Sequence, residues 1–341
     1  MWSLPHIRKE RPGGQYRSLV RLFLAAASFL SLAPAHIGSG DSVQARNTES
    51  VIESITPELP SGVKISIVGF DTFVRVESQG HEVLVEGYEE EPYLRISRDG
   101  RVEVNDSSMT TVLNSDRYAN VDLSTFATSD VPKWRTISTD GTAMWHDHRS
   151  HWMSPKPPAV IDEKGTVLTW TIPVTVDGKV SQVKGSLYLR GEASKLWWAL
   201  AVLAVIASVV LAMTRRRLIL PLLMAVSFLG MIVGAMEFAG LTGEARITPV
   251  LLLFSAGAFV VGAINLLVRR LTSNADYEDA LNVGVGAMML VGMWLCIDQV
   301  STAYVPGLDS PWMARGVLTV MAGVGISAVV NGVLRIARIN D

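Results

Sequence analysis

The sequence predicts an exported all-β sandwich, of immunoglobulin-like or cupredoxin-like type, followed by an α-helical bundle of about five transmembrane helices. The chain of 341 residues is 49% hydrophobic and 18% charged, whereas globular domains carry roughly 25% charged residues. Basic residues dominate before position 46, acidic residues dominate from 46 to 195, and no lysine follows Lys195. We therefore expect a basic leader, an acidic polar domain and an apolar membrane domain.

Residues 1–35 have the layout of a secretory signal peptide. Basic residues precede the apolar run 22–32, which is too short to span about 30 Å of hydrocarbon, and the small-residue site Ala33-Pro34-Ala35 follows. This order is typical of a cleaved leader. A second candidate cleavage site follows Ala45, and an uncleaved signal anchor is the alternative. Residues 36–60 are predicted to be a linker or, in their second half, an edge segment of the next domain.

Residues 61–193 are predicted to form the extracytoplasmic β-sandwich domain. Short runs rich in Val, Ile, Thr and Tyr are separated by turn sequences such as Asp177-Gly178, a pattern typical of strands joined by tight turns. About seven to nine such strands in roughly 140 residues favour an antiparallel sandwich. The strand-like runs are 63–68, 72–76, 82–86, 93–96, 102–104, 167–172 and 183–189.

Residues 194–338 are predicted to form a multi-pass domain of the plasma membrane, with the lipid bilayer as its partner. Each of five apolar segments is long enough to cross the bilayer as a helix. Arginines cluster in three of the loops and ends, at 215–217, 269–270 and 335–338. The positive-inside rule makes these cytoplasmic and the β-domain extracytoplasmic. The segments are 196–213, 218–236, 247–268, 281–297 and 316–334.

The composition excludes several classes of protein. The apolar tail excludes a soluble cytosolic enzyme, and the acidic polar domain excludes a nucleic-acid binder that works through a basic face. The single cysteine, Cys296, lies in an apolar run, so the polar domain is expected to have neither a disulfide nor a thiolate metal site. The sequence contains no phosphate-binding loop, dinucleotide fingerprint or hydrolase motif, so we expect neither a nucleotide ligand nor enzyme activity.

The segment 144–153, MWHDHRSHWM, has the highest density of chemically reactive side chains. In a strand, His146 and His148 lie on one face, where two imidazoles are able to bind one metal ion. His151 has the opposite parity, so in a strand it joins them through a turn or bulge near Ser150, whereas in a helix Met144, His148 and His151 would share a face. Interleaved His and Met favour copper, with zinc or nickel as alternatives. Asp147 is expected to orient one imidazole through its N–H group.

A fourth ligand is predicted at His36. Cleavage after Ala35 leaves a free α-amino group on His36. This amino group and the His36 imidazole together form a bidentate copper chelate. The arrangement is similar to that of CopC-like exported copper domains, which use an N-terminal His and an Asp-x-His pair. The segment His146-Asp147-His148 has these residue types without that spacing.

Two other interpretations remain open. The histidines are alternatively a structural hydrogen-bond network between loops, with Trp145 and Trp152 as core anchors. The β-domain would then be a non-metal module that binds an envelope protein or polymer. A membrane-bound enzyme would need an open metal position and a nearby base, for which Asp147 and Glu89 are the candidates.

Three stretches resemble those of a family of uncharacterised actinobacterial membrane proteins. They are YEEEPYLR at 88–95, NSDRY at 114–118 and WHDHRSHWM at 145–153. The first and third contain the family signature GYxxEPYLR…WHDHRxHWM, whose initial glycine is Gly87. The resemblance covers most of residues 60–190. It implies a signal peptide, an exported β-rich domain and a helical membrane tail, and it implies no particular activity.

Overall fold

The computed structural model describes residues 47–338, apart from 125, 127–128, 130, 155, 242–247 and 272–274. The predicted signal peptide and the predicted ligand His36 lie outside these residues. So does the first part of the predicted linker.

The first half of the described chain is a β-rich domain with two antiparallel sheets. One sheet has seven strands in the order β1-β10-β9-β4-β5-β6-β7, and the other has three in the order β2-β3-β8. A short helix, α1 (Met109–Leu113), follows β6. The strands are β1 (Thr48–Thr56), β2 (Val63–Val68), β3 (Phe73–Ser78), β4 (Val83–Glu86), β5 (Pro92–Ile96), β6 (Val102–Asn105), β7 (Trp134–Ser138), β8 (Thr142–Trp145), β9 (Thr166–Val176) and β10 (Lys179–Leu189).

Alternating apolar residues of both sheets form one core. Val83 and Val85 of β4 are fully buried and lie opposite Val176 and Val174 of β9. They share a hydrophobic cluster with residues of β3 and with Trp145 at the end of β8. This packing fixes Trp145, and therefore the point at which the histidine segment leaves the sheet.

All seven predicted strand-like runs are strands, and the structure adds β1, β7 and β8. Strand β1 pairs antiparallel with β10 at the edge of the larger sheet. The stretch predicted as linker or edge segment is therefore an edge strand from Thr48 onward, and the β-domain begins before the predicted boundary at residue 61.

Among the residues that the structure describes, four helices are long and apolar enough to cross a membrane: Leu196–Thr214, Arg216–Ala239 (which includes a 3-10 turn), Val250–Leu271 and Trp312–Ile336. The predicted segment 281–297 falls largely within a further helix that is not among these four, because Glu278, Asp279 and Asn282 make its first turns polar. The helices are α2 (Leu196–Thr214), α3 (Ile219–Ala239), α4 (Val250–Leu271), α5 (Ala275–Leu295), α6 (Asp298–Ser301) and α7 (Trp312–Arg338).

Small residues bring the helices into close contact. Helix α5 packs against α4 and α7, and a Cβ atom added at Gly286 of α5 would lie 2.8 Å from the Gly325 oxygen of α7. A Cβ atom added at Gly234 of α3 would lie even closer to the backbone nitrogen of Leu252 in α4. Such contacts are typical of compact helical packing between apolar helices.

Candidate metal site and its contacts with the helical domain

A turn after strand β8 brings the three clustered histidines together. The Ser150 N–H and hydroxyl groups both donate to the Asp147 carbonyl, at 2.9 and 3.1 Å, so the chain reverses at the position predicted from the sequence. The ring centroids of His148 and His151 lie 5.2 Å apart, and those of His146 and His151 lie 6.1 Å apart. The three side chains therefore form one cluster.

Each imidazole is tethered to a backbone carbonyl. His146 Nδ1 contacts the Thr72 oxygen at 2.8 Å, His148 Nε2 contacts the Asp116 oxygen at 3.1 Å, and His151 Nδ1 contacts the Trp152 oxygen at 3.1 Å. A carbonyl oxygen only accepts hydrogen bonds, so each contacting nitrogen carries the proton and the other ring nitrogen carries the lone pair. His151 Nε2 is buried and has no hydrogen-bond partner among the described residues.

The cluster is held in its neutral form. Burial, reinforced by the Arg117 cation, lowers the pKa of His146 to about 4 and that of His151 to about 2. Burial is also the main cause that lowers the pKa of His148. Because metal ions bind deprotonated imidazole, protons do not compete for these nitrogens at neutral pH.

A buried ion pair lies beside the cluster. Arg117 Nη2 donates to Asp71 Oδ1 at 2.8 Å, and both side chains are almost fully buried. Asp71 Oδ2 accepts from the Thr48 hydroxyl of strand β1 at 2.8 Å and lies 3.4 Å from the Trp152 N–H group. Asp71 therefore links the edge strand, the ion pair and the end of the histidine segment.

The structure gives Asp147 partners other than the histidines. Its carboxylate accepts from Trp145 Nε1 at 2.9 Å and forms an ion pair with Arg149 at 2.8 Å. Backbone carbonyls take the orienting role that the sequence assigned to Asp147. Sequence reasoning did not identify Asp71, Thr72 or Arg117 as part of the site, although Arg117 lies in the NSDRY stretch.

The distances within the cluster are close to those of a metal site without matching them. Within the described part of the chain, no three or more His, Cys, Asp or Glu side chains stand in the geometry of a metal-binding group. Imidazoles on one tetrahedral ion, with metal–nitrogen bonds of about 2.0–2.1 Å, have ring centroids about 5 Å apart. The His148–His151 pair has this separation, and His146 would need to approach His151 by about 1 Å.

A four-residue loop, residues 69–72, connects the cluster to the helical domain. Thr72 carries the carbonyl that accepts from His146, and the Phe70 ring stacks on Tyr304 with centroids 4.0 Å apart. Tyr304 precedes α7. Gly69 and Phe70 both have φ of 68°, a left-handed conformation that is uncommon for a residue other than glycine. The packing around Phe70 must therefore stabilise this conformation.

Polar contacts hold the two domains together around Tyr304. The Tyr304 hydroxyl donates to Glu49 Oε2 at 2.8 Å, and Arg190 Nε donates to the same oxygen at 2.7 Å. Burial and the hydrogen bond to Glu49 raise the pKa of Tyr304 to about 12. The Ala303 N–H donates to Asn47 Oδ1 at 2.6 Å. The β-domain thus rests on the segment between α6 and α7.

A double-mutant cycle tests the Phe70–Tyr304 contact. We expect Phe70→Leu and Tyr304→Leu to interact by about 0.5–1.5 kcal/mol in the free energy of unfolding, because stacked rings contribute beyond their buried area. The control is Tyr304→Phe, which keeps the ring and loses only the hydroxyl. Thermal unfolding of the full chain in detergent measures these energies, and strictly additive Leu substitutions would show that the stacking contributes nothing.

No family model, curated protein or solved structure matches the chain.

Proposed function

We propose that the β-domain binds one transition-metal ion through His146, His148 and His151, for metal handling or sensing beside the membrane. The observation that carries this proposal is the set of three clustered, neutral imidazoles, each anchored through one ring nitrogen to a backbone carbonyl. Anchoring of this kind is common for metal-bound histidines, because it fixes the tautomer and the ring orientation.

The burial of His151 further supports a ligand role. Its Nε2 atom is enclosed and has no hydrogen-bond partner among the described residues, and buried polar atoms without partners are rare in native proteins. A metal ion at this nitrogen would satisfy it. The neighbouring Asp71 carboxylate compensates the positive charge of Arg117, which reduces the repulsion that an added cation would meet.

Copper is the metal we expect to bind most tightly. Three imidazoles suit copper, zinc and nickel, and affinity for divalent ions rises through nickel to Cu²⁺ and falls again at Zn²⁺. A thioether, which favours Cu⁺, also lies near the cluster. Met144 packs against Phe73, and the Phe73 ring lies 4.2 Å from the His146 ring. The proposed fourth ligand is His36, with the new amino group that cleavage after Ala35 would produce.

We also propose the arrangement of the protein in the membrane. The β-domain, as a sandwich of immunoglobulin-like or cupredoxin-like type, would lie outside the cytoplasmic membrane and the C-terminus inside, with α5 as the fifth span. Two features support this orientation. The β-domain contacts the ends of the helices next to Gly240 and Gly307, and the arginine clusters at 215–217 and 269–270 lie at the opposite helix ends.

The substitutions that test the metal site keep each anchoring hydrogen bond. In His146→Asn and His151→Asn the amide nitrogen takes the place of Nδ1, and in His148→Gln it takes the place of Nε2, while the opposite ligand nitrogen is lost. The matched control is His81→Asn, which removes an imidazole bound to Asp177 at 2.7 Å in another part of the domain.

The experiment measures metal content and calorimetric binding of Cu²⁺, Cu⁺, Zn²⁺ and Ni²⁺ to the full chain in detergent. We expect about one ion per chain, weakened about a hundredfold or more by each of the three cluster substitutions and unchanged in His81→Asn. Far-UV circular dichroism establishes that each variant is folded. A folded wild-type chain that binds none of these metals would overturn the proposal, as would equal binding by the wild type and the cluster variants.

The second candidate function is a non-metal module that binds an envelope protein or polymer. It is favoured by the same anchoring bonds, because they join the histidines to residues 72 and 116 and therefore connect separate loops. In that case the cluster variants would lower the melting temperature in metal-free buffer without any change in metal binding.

A further inference from the structure

A cleft of about 370 Å³ lies between the β-domain and the ends of the helices. Its β-domain wall includes Ser50, Arg75 and Phe70, and its helical wall includes Gly240 and the segment 307–309. Gly240 follows α3 and residues 307–309 precede α7, so the cleft lies at the end of two apolar helices that are long enough to cross a membrane.

Two polar groups of the cleft have no partner. Ser50 is 5% exposed, and its hydroxyl oxygen forms no hydrogen bond with the described residues. Arg75 pairs with Glu77 through Nη2 at 2.8 Å, and its buried Nε atom likewise has no partner there. A guanidinium N–H only donates and a hydroxyl is able to donate, so a ligand group that carries hydrogen-bond acceptors would satisfy both atoms.

The acidic residues of the cleft do not prevent an anion from binding. The Glu49 carboxylate accepts from Tyr304 and from Arg190 on one oxygen, so its charge is compensated. Asp309 is exposed, and its field is therefore screened by water and salt. Arg75 is the basic side chain among the described residues that line the cleft. Its partner Glu77 is 37% exposed, so water and salt screen this ion pair.

We propose that this cleft binds a phosphate group through Ser50 and Arg75. Charge-assisted bonds from arginine to phosphate are among the strongest hydrogen bonds in proteins, and a cleft of this volume is large enough for a small ligand. Two sources supply this chemistry: the headgroup of an anionic phospholipid, which lies at the level where apolar helices end, and free inorganic phosphate. The proposal does not depend on the metal site.

The test uses the full chain and separates the two sources. Native mass spectrometry counts phosphatidylglycerol retained after the detergent-solubilised chain is mixed with it, and calorimetry measures binding of inorganic phosphate in the same detergent. Variants are Ser50→Ala and Arg75→Met, which remove the two donors. Arg101→Met is the matched control, since Arg101 is an exposed arginine of the same domain, outside the cleft.

We expect about one phosphatidylglycerol per chain, with retention about tenfold lower in Ser50→Ala and in Arg75→Met and unchanged in Arg101→Met. Binding of inorganic phosphate with the same dependence on these variants, and no lipid retention, would identify free phosphate as the source. Absence of both, or equal binding by wild type and Ser50→Ala, would overturn the proposal. Ser50→Ala removes a single oxygen atom, so it remains informative if Arg75→Met does not fold.

Discussion

Asp71→Asn is expected to lower the free energy of unfolding of the β-domain by about 3–5 kcal/mol, because it removes a buried negative charge that pairs with the buried Arg117 cation. Both side chains of this pair are at most 3% exposed, so water cannot replace the lost partner. Asp71 also accepts from the Thr48 hydroxyl, and this contact to the edge strand weakens at the same time. Denaturant unfolding of the full chain in detergent, followed by tryptophan fluorescence, measures the change.

The matched control is Asp106→Asn, which removes the same charge from an ion pair with Arg135 at 3.0 Å. Since Arg135 is 57% exposed, we expect this substitution to change the free energy of unfolding by about 1 kcal/mol or less. Similar losses in the two variants would show that the Asp71–Arg117 pair does not differ energetically from a surface pair.

Acidification is expected to destabilise the β-domain between pH 7 and pH 5, by about 2 kcal/mol from His146 alone. Burial lowers the pKa of His146 from 6.5 to about 4 in the folded protein. Between these two values the unfolded chain binds a proton that the folded chain does not, so stability falls as pH falls through 6.5. The contribution of His146 is lost completely only below pH 4, and His151 and His148 act in the same direction.

Melting temperatures measured across this pH range, with a chelator present to exclude metal, test the prediction. His146→Asn keeps a donor toward Thr72 but does not titrate, so its stability should depend less on pH than that of the wild type. His81→Asn is the control. The hydrogen bond to Asp177 raises the pKa of His81, so protonation of His81 stabilises the folded protein at low pH, whereas protonation of His146 destabilises it. A pH profile that His146→Asn leaves unchanged would contradict the expectation.

Strand β4 was predictable because its inward positions are apolar. Val83 and Val85 alternate with exposed or half-buried residues, and this period of two is visible in the sequence. Strand β1 gave no such signal because its buried positions are Thr48 and Ser50. Thr48 is satisfied by Asp71, which is 23 positions away, and Ser50 lines the cleft between the two domains, so only the folded structure identifies these polar residues as interior.

The candidate site was predictable in part for a related reason. The turn near Ser150 follows from the parity of the three histidines, a local property of the sequence. Three residues beside the cluster lie about 30 to 80 positions away in the chain. They are Thr72, whose carbonyl accepts from His146, and the ion pair of Asp71 with Arg117. No spacing rule connects them with His146. The sequence predicts that Asp147 orients an imidazole. In the structure its carboxylate instead binds Trp145, two positions before it, and Arg149, two positions after it.

The loop 69–72 contacts both the histidine cluster and the interdomain cleft. Its Thr72 carbonyl holds His146, while Gly69 and Phe70 line the cleft. If closure of His146 on a metal ion shifts this loop, it changes the affinity of the cleft for its ligand by some factor, and that ligand changes the affinity for the metal by the same factor. A substitution at Phe70 would then change this coupling without removing a residue that binds either ligand.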